Sequence, residues 1–184
     1  MTKKIKGLIL DRDGTLIEHV PYLSDPIEVK PLVDAGSALR VASDAGLLLF
    51  LHTNQSGIGR GYYRLDAVHD CNDTMISTLG FPSNPFAKIC IAPETPDSVI
   101  NYRKPSPRFA YEVMDEFGLA SSELCYIGDC WSDLATACAA RTQGIGVLTG
   151  TSDLEQELVE NGLAGQFPIC DNLSSAIELI VNEL

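Results

Sequence analysis

Two aspartates two positions apart, Asp11 and Asp13, stand in the string Asp11-Arg12-Asp13-Gly14-Thr15, directly after the apolar run Ile5 to Leu10. A carboxylate placed there can attack phosphorus and form an aspartyl-phosphate, which divides one difficult hydrolysis into two easier steps. A second carboxylate beside it can protonate the leaving oxygen and then activate water. For two acids at this spacing alone, the ordinary reading is a turn with solvated side chains, because Asp-Gly marks turns. The buried strand in front of the motif and the polar residues further along favour the chemical reading. Those residues are Thr53 and Asn54 after a second apolar run, and Asp129 after a fourth.

The elements that must carry these residues show in the hydrophobic pattern. Apolar runs alternate with helical periodicity, which argues for an α/β fold with a largely parallel sheet. Strands are expected at Ile5 to Leu10, Leu47 to Leu51, Ala87 to Ile91, Leu124 to Ile127 and Ile145 to Leu148, with Gln166 to Ile169 as a sixth. Helices are expected over about Asp34 to Ala45, stopped by Gly46, and over Leu65 to Leu79, Ser106 to Phe117, Ser132 to Ala140 and Ser174 to Val181. Ligands of open parallel sheets bind outside the carboxyl ends of the strands. Asp11, Asp13, Thr53, Asn54 and Asp129 are therefore expected in one crevice. No repeat, low-complexity tract or long linker interrupts residues 1–184, so a single domain is expected.

Composition removes several classes of function. The net charge of −12 repels nucleic acid and anionic membranes, so neither is expected as a partner. The longest apolar stretch, Gly46 to Leu51, falls far short of the roughly 20 residues a membrane span needs. The start of the chain lacks the apolar core of a signal peptide, and the six cysteines form no Cys-x-x-Cys pair. Free thiols, a cytoplasmic location and an acidic monomer are the expectation. An enzyme for anionic phosphates would then need a local positive patch.

The Asp11 to Thr15 string resembles the first signature of the haloacid dehalogenase superfamily of phosphatases, and the rest of that set follows in order as far as Leu148. The resemblance implies a three-layer, Rossmann-like α/β domain with a mostly parallel central sheet. It also implies that Asp11 is the nucleophile and Asp13 the acid and base. Thr53 would hydrogen-bond the transferring phosphoryl group, and Lys104 would neutralise nucleophile and phosphate. Mg²⁺ prefers hard oxygen ligands; Asp11, the backbone carbonyl of Asp13 and Asp129 would supply them, with Asp133 orienting its neighbours. Asp13 argues against dehalogenase chemistry, which in this superfamily lacks the second acid.

Residues 52–63 (His-Thr-Asn-Gln-Ser-Gly-Ile-Gly-Arg-Gly-Tyr-Tyr) and 102–107 (Tyr-Arg-Lys-Pro-Ser-Pro) are similar to segments of a narrower subgroup. It contains heptose 1,7-bisphosphate phosphatases and histidinol-phosphate phosphatases. Thr53 to Gly57 reads as a polar loop suited to donating hydrogen bonds to phosphate and sugar hydroxyls. Asn54, Gln55 and Ser56 are thus expected substrate contacts. Arg60 and Arg103 join Lys104 in the positive patch, arginine being suited to two-pronged phosphate recognition. Each arginine taken singly would be read as a solvated surface residue, and the direction of Arg12 stays open.

Only about forty residues separate Asp13 from Thr53, and the segment Ile91 to Arg103 is short, so no cap domain is expected. Glu18 to Tyr22 would form a flap over the site, with His19 touching substrate. Many subgroup members carry three cysteines and a histidine around zinc before the Arg-Lys-Pro motif. Here Ala92, Glu94, Ile100 and Tyr102 take those positions, and no zinc is expected. Cys130 replaces the lysine common after Gly-Asp, and an inert, partly buried thiol is the expectation. The expected ligand is a small phosphorylated metabolite: heptose 1,7-bisphosphate first, histidinol phosphate second. Two further alternatives are a degenerate module that binds a phospholigand without turnover and a polynucleotide phosphatase. The complete set of acids speaks against the first and the acidic charge against the second.

Overall fold

The computed structural model describes residues 4–182. Six strands form one sheet: β1 (Gly7–Leu10), β2 (Leu48–Asn54), β3 (Phe86–Ala92), β4 (Leu124–Gly128), β5 (Gln143–Val147) and β6 (Ile169–Cys170). Their order is β3-β2-β1-β4-β5-β6, and every pairing is parallel. The helices are α1 (Ala35–Asp44), α2 (Ser56–Gly59), α3 (Leu65–Thr78), α4 (Arg108–Phe117), α5 (Trp131–Ala140), α6 (Leu154–Glu160) and α7 (Leu173–Asn182).

Every residue of β1 and of β4 is buried. A parallel sheet is covered on both faces, which is why these strands read as unbroken apolar runs without alternation. Leu8, Leu10, Leu51 and Ile127 pack with residues of α1, α3 and α7 on one face. Ile9, Phe50 and Tyr126 pack with Phe109 and Val113 of α4 and Ala137 of α5 on the other. The result is three layers, helix on sheet on helix. The register pairs Leu10 with Leu51 on one side and with Ile127 on the other. β1 and β4 thereby end nearly level, while β2 runs on past Leu51 to Asn54. The strand order reverses beside β1, the place where a crevice opens in such sheets.

Several details depart from the expected pattern. β2 runs on to Asn54, so Thr53 and Asn54 belong to the strand, and the expected loop after it folds into the short helix α2. The sixth strand lies later than Gln166 to Ile169 and is two residues long; Pro168, without an N–H, offers only its carbonyl, to Gly146. Helix α6 has no counterpart in the sequence reading. Its signals are weak but present: Asp153 accepts a hydrogen bond from the Gln156 N–H at its start, and Leu154 and Leu158 are buried one turn apart.

Between Asp13 and β2 the described chain forms one long loop and α1. The Glu18 N–H donates to the Lys30 carbonyl and Ile17 bridges Pro31, so the loop is closed at its base. Among the described residues, no helix is long and apolar enough to cross a membrane.

Candidate active site

The Asp11 N–H donates to the Ile127 carbonyl, which prolongs β1 by one residue and sets the Asp11 side chain at the boundary between β1 and β4. The chain then turns sharply. The Arg12 carbonyl accepts the N–H groups of Leu16 and Ile17, and Gly14 adopts φ +88°, where a side chain would be strained. Gly14 is also required by contact. A Cβ there would stand 2.3 Å from Asp129 Oδ2, and one on Gly150 would stand 2.1 Å from the same oxygen. The Asp129 carboxylate thus lies between two glycines, with Thr15 donating to its Oδ1 at 3.1 Å.

Lys104 is buried, and its ammonium donates to Asp11 Oδ1 and to Asp133 Oδ1, each at 2.5 Å. Burial alone would lower the Lys104 pKa, but the charges of Asp11 and Asp133 outweigh it and hold the group protonated. Asp133 sits in the first turn of α5, and its Oδ2 accepts the Cys130 N–H at 3.2 Å, capping that helix. Asp11, Asp129 and Asp133 each offer an oxygen, all within 4.8 Å of one another. Three buried carboxylates against one ammonium leave an excess of negative charge. Burial first, then Asp11 and Asp133, push Asp129 up to about 8; burial, with Asp11 adding, pushes Asp133 up to about 6. A hard cation fits this place: the donors are carboxylate oxygens and its charge offsets theirs. Asp133 gives one oxygen to Lys104 and the other to the helix cap, which leaves Asp11 and Asp129 as the candidate side chains for it.

Opposite this group, Asp13 is held from several sides. Thr53 Oγ1 and Gln55 Nε2 donate to its Oδ2 at 3.3 and 3.0 Å. Gln55 Nε2 also reaches Thr53 Oγ1, and Tyr63 OH donates to Gln55 Oε1 at 2.9 Å. The Gln55 side chain is thus engaged on both ends within the protein. Asn54 fixes Lys104 through the backbone, its Oδ1 accepting the Lys104 N–H at 2.9 Å. His52 supports the same segment from below. Its Nε2–H donates to the Tyr102 carbonyl, which can only accept, so its Nδ1 accepts from Tyr126 OH. Burial, reinforced by Lys104, lowers the His52 pKa to about 3, so the ring is neutral.

These groups floor a cleft of about 770 Å³ at the strand ends. Asp11, Asp13, Thr53, Asn54, Gln55, Ser56, Lys104, Asp129, Asp133, Arg103 and His19 all line it. Arg60 is exposed and lies outside this lining. Arg103 is half-buried beside the cleft, with Nη1 donating to the Glu94 carbonyl at 3.3 Å. Burial lowers the pKa of its guanidinium, as does the like charge of Arg60 further off, against Glu94. In the segment without zinc ligands, the Glu94 carboxylate draws the loop together by accepting the N–H groups of Asn101 at 3.1 Å and Tyr102 at 2.6 Å. Cys130 is partly buried, and burial, with Asp133 adding, raises its thiol to about 11, which keeps it protonated. The expected flap lines the cleft with His19 to Tyr22, and Tyr22, at φ 55°, meets Tyr62 edge to face at 4.8 Å.

The direction of Arg12, open in the sequence, is inward: it is fully buried and paired with Asp13. The sequence did not single out Tyr63 and Trp131, which line the cleft, or Gly150, which lies against Asp129. Gly150 could have been found only by its closeness to β5, since a lone glycine after a strand carries no specific signal.

Comparison with known proteins agrees with this geometry. A family model described as HAD-hydrolase-like matches residues 101–176. The D-glycero-beta-D-manno-heptose-1,7-bisphosphate 7-phosphatase of Pseudomonas putida is 30% identical over 178 residues, covering 96% of this chain and all of that protein. The D-glycero-D-manno-heptose-1,7-bisphosphate 7-phosphatase of Chlorobaculum tepidum is 30% identical, covering 94% of this chain and 92% of that one. The crystal structure of the D,D-heptose 1,7-bisphosphate phosphatase from B. bronchiseptica, complexed with magnesium and phosphate, superposes with a TM-score of 0.88. It is 26% identical, covering 98% of this chain and all of that one.

Proposed function

Because this chain belongs to the haloacid dehalogenase-like phosphatases, we propose that it hydrolyses a small sugar phosphate, D-glycero-D-manno-heptose 1,7-bisphosphate first, with Asp11 as the nucleophile. The observation that carries this reading is the single Lys104 ammonium shared by Asp11 and Asp133 in a cleft that Asp13 also lines.

An oxygen of Asp11 attacks phosphorus while the bond to the leaving oxygen breaks, and Asp13 gives that oxygen its proton. Water then attacks the aspartyl-phosphate and yields a proton to Asp13. The bond from phosphorus to Asp11 breaks, its electron pair returns to the carboxylate, and inorganic phosphate leaves. Lys104 holds Asp11 in place and compensates its charge, and Thr53, whose hydroxyl donates to Asp13 in the cleft, is the proposed hydrogen-bond partner of a phosphoryl oxygen. Mg²⁺ held by Asp11, Asp129 and the Asp13 carbonyl would neutralise the repulsion between carboxylate and phosphate and stabilise charge as the group transfers. Arg103 at the cleft wall is the proposed contact to a second phosphate, as a bisphosphate requires, with Arg60, exposed outside the lining, as a further candidate. Asn54 and Ser56 at the strand end, and His19 on the flap, are the proposed contacts to the sugar hydroxyls. We read the enzyme as cytoplasmic, a reading supported by its six free thiols, and as a monomer by default.

A histidinol-phosphate phosphatase is the second reading. It is favoured by the apolar outer wall of Val20, Pro21, Tyr22, Pro96, Ile100 and Trp131, which suits a flat ring. Phosphate release with Mg²⁺ from the two substrates, with Asp11→Asn as blank, decides between them. Preference for the heptose is the expected outcome. Cleavage of neither, while an aryl phosphate is cleaved, would keep the chemistry and overturn the substrate.

A further inference from the structure

We propose that Arg12 is a positioning residue for the acid–base carboxyl, fixing Asp13 for the attack of water on the phosphoenzyme; this rests on the phosphatase reading above. Arg12 is fully buried although it carries a full charge. Its Nε and Nη2 donate to the two oxygens of Asp13 at 3.1 and 3.2 Å, a two-pronged pairing that sets both the distance and the plane of the carboxylate. Its Nη1 donates to Asn72 Oδ1 at 2.9 Å, which ties the guanidinium to α3, behind the cleft. The Asn72 amide cannot turn around, because arginine only donates. Its Nδ2 is consequently left buried without a partner. An unsatisfied amide is a cost that packing alone would not select. It is explained if the orientation of Arg12, and through it that of Asp13, is what the arrangement secures. Thr53 of β2 and Gln55 just after it donate to the same carboxylate, so Asp13 is gripped from both sides and no longer free to rotate.

The placement of Asp13 matters unequally in the two steps. A good leaving group such as nitrophenoxide departs without taking a proton, so phosphorylation of Asp11 tolerates a misplaced acid. Water cannot add to phosphorus without giving a proton up, so dephosphorylation does not tolerate it. Loss of the Arg12 geometry should therefore make the phosphoenzyme accumulate.

The test uses rapid mixing of the Mg²⁺-loaded full chain with 4-nitrophenyl phosphate, comparing wild type with Arg12→Lys, which keeps the charge but loses the fork. The expected result is a burst of one nitrophenol per site followed by steady turnover slowed roughly tenfold or more. On an alkyl phosphate the variant should lose kcat/KM by a similar factor, while kcat/KM for the aryl phosphate stays near wild type. If Arg12→Lys does not fold, Asn72→Ala, which frees only the far end of the guanidinium, is read in the same way. Unchanged turnover, or equal loss of burst rate and steady rate on both substrates, would overturn the role of Arg12. No phosphate release by the wild type from either substrate would instead overturn the phosphatase reading beneath it.

Discussion

At the scale of single residues the site is a set of charges that must balance in a dry place. Lys104 serves Asp11 and Asp133 together, and Arg12 has Asp13 as its bonded carboxylate. This makes two similar substitutions behave differently. Asp11→Asn keeps an acceptor for Lys104, which also retains Asp133, so turnover should fall by about a thousandfold or more while thermal stability changes little. Asp13→Asn removes the counter-charge of a fully buried guanidinium and should cost about 3 kcal/mol in urea unfolding as well as activity. Equal stability of the two variants would contradict the pairing. The reactive types and their spacing were legible in the sequence because each follows an apolar run. The Arg12–Asp13 pair was not, since neighbouring side chains on an extended strand point apart. Here the chain leaves the strand and turns about the Arg12 carbonyl, and the two side chains meet.

At the scale of elements, β2 is the part that holds the cleft in register. His52, Thr53, Asn54 and Gln55 secure in turn the Tyr102 carbonyl, Asp13, the Lys104 backbone and Asp13 again. His52 makes this support sensitive to acid. Its pKa falls from 6.5 to about 3 on folding, so below pH 6.5 the unfolded chain binds a proton that the folded chain refuses. Its contribution is fully present above pH 6.5 and is lost as pH falls, at up to about 1.4 kcal/mol per pH unit. Urea unfolding between pH 7 and pH 4 should therefore show a steeper loss in wild type than in His52→Gln; identical slopes would refute the neutral histidine. Glu94 plays the comparable part in the loop before Lys104. Glu94→Ala should raise KM several-fold with kcat nearly unchanged, because the loop carries Arg103 and not the reacting groups. Most of these elements could be read from periodicity. Helix α6 could not, because acidic residues surround its two buried leucines, and Pro168 displaced the expected sixth strand.

At the scale of the molecule, an acidic chain sets Lys104 and Arg103 at the cleft and leaves three buried carboxylates facing one ammonium. A divalent cation should therefore stabilise the whole fold. At a hundredfold excess over its dissociation constant, Mg²⁺ should add about 2.7 kcal/mol, read as a rise in Tm. The rise should vanish in Asp129→Asn and on chelation, and a rise that persists would move the metal elsewhere. The central claim is the covalent phosphorylation of Asp11. Its most direct test is an acid quench of the Mg²⁺-loaded enzyme during turnover, followed by mass measurement of the chain and its peptides. The account requires one added phosphoryl group on the peptide holding Asp11, absent from Asp11→Asn. Turnover by wild type with no adduct at that residue, or by Asp11→Asn at a comparable rate, would contradict it.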